Sequence, residues 1–89
     1  MTAMPPPDRC AVIIEDDEEI SELLATVLNQ AGFQTHIANN GMSGLELIGE
    51  HDPVVTTLDV NLPGMDGFEV ARRIRSFSST YVIMLSARR

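Results

Sequence analysis

The sequence predicts an open, doubly wound α/β domain, on three observations. Strand-length runs of apolar or alternating residues interleave with helical periodicities in the order β-α-β-α-β-α-β. Each connection is long enough for a crossover between parallel strands. Two of the strand-like runs end on carboxylates, at Glu15-Asp16-Asp17 and at Asp59, and a third ends on Ser86. Carboxyl ends of parallel strands are where such sheets bind ligands.

Residues 1–9, with Pro5-Pro6-Pro7 and no hydrophobic period, read as a disordered lead-in; residues 10–89 read as the domain. Cys10 to Ile14 is a continuous apolar run, as expected for a central strand covered on both faces. A long amphipathic helix follows, with Ile20, Leu23, Leu24, Val27, Leu28 and Ala31 forming one apolar stripe. Glu18, Glu19 and Glu22 favour the positive end of its dipole, Asp16 or Asp17 can cap it, and Gly32 is placed to end it. Phe33 to Ile37 alternates with period two and reads as an edge strand.

After the Asn39-Asn40-Gly41 loop, Met42 to Gly49 makes a weaker helix. Gly44 in its interior costs about 1 kcal/mol relative to alanine, so this helix depends on tertiary packing. Val54 to Leu58 is the third strand, with the β-branched Thr56 and Thr57 inside it. Beyond the Pro63-Gly64 turn, Gly67, Val70, Ala71 and Ile74 form the buried stripe of a third helix. Ser76 to Thr80 is a polar linker, and Tyr81 to Leu85 is the fourth strand.

The totals exclude several functions. A formal net charge of −7, with Arg9, Arg72, Arg73, Arg75, Arg88 and Arg89 as the only basic side chains, argues against direct nucleic-acid binding. Arg72, Arg73 and Arg75 read as a solvated helix face. One cysteine permits no internal disulfide, and no apolar run nears the ~20 residues that span a bilayer. These features point to a reducing cytoplasm and to no membrane partner. Cys10 reads as a small buried hydrophobe, and Phe33, Phe68 and Tyr81 as packing residues. His36 and His51 lack a further ligand at metal-site spacing.

Glu15, Asp16 and Asp59 are expected to converge at one sheet edge. Two like charges ~4 Å apart at an effective dielectric near 20 repel by about 4 kcal/mol, so a bare cluster weakens a small domain. A divalent cation converts that repulsion into binding, and oxygen ligands of this kind suit Mg²⁺ or Mn²⁺. Singly, each residue has a structural reading: a helix cap for Glu15-Asp16-Asp17, a turn residue for Asp59, a strand-end serine for Ser86. Their joint placement favours a site.

Three stretches, Val12-Ile13-Ile14-Glu15-Asp16-Asp17, Leu58 to Gly67, and Ile83-Met84-Leu85-Ser86-Ala87-Arg88, resemble the receiver domains of two-component response regulators. The resemblance covers about Cys10 to the last residue. It implies a flavodoxin-like sheet of order 2-1-3-4, Asp59 as acceptor of a phosphoryl group from a sensor histidine kinase, and Mg²⁺ held by Asp16, Asp59 and the Asn61 backbone carbonyl. It also implies that Glu15 acts on the ion through water and that Ser86 is the phosphoryl switch. Such receivers most resemble those that precede a winged-helix output domain, so DNA binding would belong to a longer parent.

One departure stands out. The family's fifth strand begins near a Lys-Pro pair whose lysine contacts the phosphoryl group, yet this chain contains no lysine and stops after its fourth strand. It reads as a partial receiver lacking the fifth strand and the last two helices. Impaired phosphotransfer and self-association through a bare sheet edge, by element exchange among other routes, are the expectations. A non-catalytic interaction fragment is the main alternative. An aspartate-nucleophile phosphatase is disfavoured, because Asn61 stands where its second carboxylate would be.

Overall fold

The computed structural model describes residues 9–86. The lead-in, apart from Arg9, and the final Ala87-Arg88-Arg89 lie outside the described residues. Within them the element order is β1 (Cys10–Ile14), α1 (Glu18–Gln30), β2 (Gln34–Ala38), α2 (Gly41–His51), β3 (Val55–Asp59), α3 (Gly67–Arg75) and β4 (Tyr81–Leu85). All pairings are parallel, in the order β2-β1-β3-β4. Among the described residues no helix is long and apolar enough to cross a membrane.

β1 is central, and all five of its residues are buried. On one face of the sheet Val12, Ile14 and Leu58 pack with Ile48 of α2 and with Val70 and Ile74 of α3. Each fully buried side chain of this kind contributes about 1.5–3 kcal/mol. Gly44 is what lets α2 settle there: a Cβ on it would stand 2.4 Å from Ile14 Cδ1. The expected reliance of α2 on tertiary packing therefore has a specific contact behind it. Thr56, inside β3, shares a hydrogen bond of 3.1 Å with Thr80, so two buried hydroxyls satisfy one another.

α1 lies on the opposite face, against β1 and β2. Asp17, rather than Asp16, caps it, its Oδ1 accepting the Ile20 N–H at 3.1 Å. The expected apolar stripe is only half used. Ile20, Leu24 and Leu28 are half-buried, but Leu23 is 64% and Val27 55% exposed. The reason is geometric: α1 packs on β1 and β2 and leaves the β3–β4 side of that face largely uncovered. Ile83, in the same cross-strand row as Ile13 and Thr57, is consequently 49% exposed.

β2 is an edge strand as expected, shifted by one residue to Gln34–Ala38. β3 is shifted likewise and takes in Asp59, and α2 extends to His51. β4 forms the other edge. Tyr81 N–H donates to Val54 O and Leu85 O accepts from Val60 N–H, so residues 81, 83 and 85 turn their backbone toward β3. By alternation, the N–H and C=O groups of Val82 and Met84 face outward. Arg72 and Arg73 both pair with Glu69 on the exposed face of α3. Arg75 bonds the carbonyls of Ser78 and Thr80, closing the turn into β4. This fits a solvated helix face, and exposed pairs of this kind add little stability.

Candidate functional site

Two adjacent parallel strands, β1 and β3, bring their carboxyl ends to the same level, Ile14 being in register with Leu58. Glu15 follows β1 directly and Asp59 is the last residue of β3. Both are almost fully buried, at 4% and 5% exposure, while Asp16 beside them is open to solvent. One carboxylate oxygen from each of Glu15, Asp16 and Asp59 lies within 4.8 Å of the others. The three residues expected to converge do so.

Backbone groups fix the two buried carboxylates. Asp17 N–H donates to Glu15 Oε2 at 3.0 Å, and Asn61 N–H donates to Asp59 Oδ1 at 3.0 Å. Glu15 is tethered again through its own N–H, which donates to Ala38 O at 2.9 Å. Gly67 lets the loop after Asp59 close tightly, because a Cβ there would stand 2.6 Å from Val60 Cα and 2.8 Å from Asp59 O. Asp66 caps α3 through the Phe68 N–H at 2.8 Å and so fixes the far end of that loop.

Burial pushes the Glu15 carboxyl above its ordinary value of 4.5. The Asp17 N–H opposes this, and the charges of Asp59 and Asp16 reinforce it. A group displaced by desolvation and like charge is one a cation would return to its ionised form. The donor set is three hard oxygen anions with no sulfur or imidazole, and one of them is solvent-facing. It fits an oxygen-preferring ion that keeps part of its water, as Mg²⁺ and Mn²⁺ do.

Of the remaining expected residues, Asn61 is exposed and joined to Asp59 through its N–H. Ser86 is exposed immediately after Leu85, the partner of Asp59 in the β3–β4 register. A cleft of about 470 Å³ opens beside Glu15 and Asp16, walled by Ile37, Ala38, Asn39 and Ser43. No local pattern in the sequence signals this wall, which comes from the end of β2, the turn after it and the start of α2. Nor does any such pattern signal that His36 and His51 meet, their rings stacking at 3.7 Å between centroids and 11° between planes.

Comparison with known proteins bears on the family and the fold. The family described as the response regulator receiver domain matches residues 11–89. The chain is 44% identical over 77 residues to the transcriptional regulatory protein AfsQ1 of Streptomyces coelicolor, covering 86% of this chain and 34% of that protein. It is 40% identical over 77 residues to the CpxR homolog of Haemophilus influenzae, covering 86% and 34%. The chain thus spans about a third of the length of these curated relatives. Among solved structures, the response regulator TrrA of Thermotoga maritima in complex with Mg(2+)-BeF superposes with a TM-score of 0.83 at 30% identity, covering 90% of this chain and 70% of that one. The BeF3-activated receiver domain of Klebsiella pneumoniae RstA gives 0.82 at 27% identity, covering 91% and 69%. With its fold, its acidic strand ends and a family match spanning nearly all of its length, the chain belongs to the receiver domains of two-component response regulators.

Proposed function

We propose that this domain takes a phosphoryl group from a sensor histidine kinase onto Asp59, and that a divalent cation held by Asp16, Asp59, the Asn61 carbonyl and, through water, Glu15 assists. The observation that carries the reading is the convergence of three carboxylates, two of them buried, at the ends of adjacent strands. A bound Mg²⁺ or Mn²⁺ supplies the positive charge that lets these carboxylates and an anionic phosphoryl group share one pocket. The Asn61 N–H on Oδ1 orients the Asp59 carboxylate for attack. A carboxylate oxygen of Asp59 attacks phosphorus, the P–N bond to the kinase imidazole breaks, and the imidazole leaves with the electron pair. Ser86 then donates its hydroxyl to a phosphoryl oxygen and draws the segment after β4 inward, which is the switch step.

Incubation with a small phosphodonor and Mg²⁺, read by intact mass, is expected to show Mg²⁺-dependent modification that Asp59→Asn abolishes. Absence of both modification and Mg²⁺ binding would overturn the phosphoacceptor reading.

The exposed β4 edge and the uncovered Leu23, Val27, Tyr81 and Ile83 favour a second reading, an interaction module that associates with copies of itself or with related receivers. If partner binding survives Asp59→Ala, this reading gains. Under either reading the domain works in the cytoplasm and does not itself touch DNA. A part in transcriptional control, suggested by relatives named as transcriptional regulatory proteins, belongs to a larger assembly.

A further inference from the structure

His36, in the middle of edge strand β2, and His51, the last residue of α2, stack almost parallel at 3.7 Å between ring centroids. His36 Nε2 is buried and has no hydrogen-bond partner, whereas His51 Nε2 lies 3.5 Å from the exposed Glu50 carboxylate. An unpartnered imidazole nitrogen is tolerable as a bare lone pair. As an N–H bearing part of a positive charge it is not.

The surroundings offer His36 little compensation. From α2, His51 acts against a positive charge on it and Glu50 in its favour. β1 places Val12 in register with it, with the buried Cys10 two residues earlier. α1 lies on the opposite face of β2, where Asn29 accepts a hydrogen bond from Thr35. Burial accordingly moves His36 below its ordinary value of 6.5, with His51 adding to the effect.

We propose that the His36–His51 stack is a proton-operated clasp that holds the last turn of α2 on the edge strand while His36 is neutral and opens when His36 takes up a proton at Nε2. Its effect reaches the acidic site through the backbone. The residues that follow His36 in the chain are Ile37, Ala38 and Asn39, which wall the cleft beside Glu15 and Asp16, and Ala38 O accepts the Glu15 N–H. Opening the clasp loosens that wall.

Amide hydrogen exchange on the full 89-residue chain tests this without requiring phosphorylation. Between about pH 7.5 and about pH 5.5, protection in β2 and in the last turn of α2 is expected to fall about tenfold more than protection in β3. His36→Phe keeps an aromatic ring in the stack without a titrating nitrogen and should remove the difference. An equal fall in β3, or an unchanged fall in His36→Phe, overturns the proposal. Following the His36 Cε1–H signal needs no variant. Its midpoint is expected below the ordinary value, and a midpoint at or above that value overturns the clasp.

Discussion

Gly44 sits directly over Ile14, so close that any Cβ at position 44 would lie 2.4 Å from Ile14 Cδ1 and 2.6 Å from Cγ1. Helix propensity alone says Gly44→Ala should stabilise α2 by about 1 kcal/mol. The contact says otherwise, because overpacking a fixed core costs about 1–3 kcal/mol. Gly44→Ala is expected to be net destabilising, and Gly44→Ala combined with Ile14→Val should recover part of the loss. Urea denaturation of the four-membered mutant cycle checks both.

Metal linkage follows from the acidic site. A ligand that binds only the folded state at 100 times its Kd adds about 2.7 kcal/mol of stability. Mg²⁺ or Mn²⁺ is expected to raise the melting temperature of the chain in a concentration-dependent way, and Asp16→Asn should largely remove the effect. Calorimetric melts with and without chelator decide it.

Without metal, the Glu15 carboxyl gives a pH dependence of definite sign. Its folded pKa is raised above the unfolded 4.5, chiefly by burial, so the folded state binds the proton more tightly. Its contribution to stability is therefore lost as pH rises from about 4.5 through the raised folded value, and is regained on acidification. In chelator, Glu15→Gln should gain stability at neutral pH relative to the parent and flatten this part of the profile. Saturating Mg²⁺ should reverse the order of the two proteins.

Thr56 and Thr80 are 0% and 3% exposed and satisfy each other's hydroxyls. Thr56→Val strands the Thr80 oxygen and should cost about 1–3 kcal/mol, while replacing both threonines with valine should cost much less than the sum. Chemical denaturation of the two single variants and the double variant measures the coupling.

Finally, β4 carries outward-facing backbone groups beside Tyr81 at 74% and Ile83 at 49% exposure. The 89-residue chain is expected to form dimers or larger species by light scattering, and Ile83→Lys should shift it toward monomer. An unsubstituted 89-residue chain that is monomeric and melts in one sharp cooperative transition would refute this.

Much of the fold was legible because its signals are local. The five apolar residues from Cys10 to Ile14 read as a doubly covered strand, and Val70 and Ile74 mark the buried stripe of α3, as in the structure. The site was legible for a different reason. Parallel α/β topology sends every strand's carboxyl end to one edge, and the strand order implied by the family resemblance sets β1 beside β3, so Glu15 and Asp59 were expected to approach. The boundaries of β2 and β3 moved by one residue, while those of β1 and β4 did not, because the sheet register, and not composition, decides where hydrogen bonding stops. α1 shows the limit of periodicity: Leu23 and Val27 obey the stripe yet face open space, since a period says which residues share a face and not how much of that face is covered.

The amino-acid order by itself therefore determined the alternation of strands and helices, the strand ends that carry acid, and the lack of a lysine. Only the folded chain decided that Glu15 and Asp59 would be buried with backbone N–H groups upon them, that Gly44 would meet Ile14, and that His36 would stack on His51. Local periodicity and charge act over a few neighbouring residues. Burial, close contact and ring stacking depend on segments far apart in sequence and exist only once the sheet has brought them together.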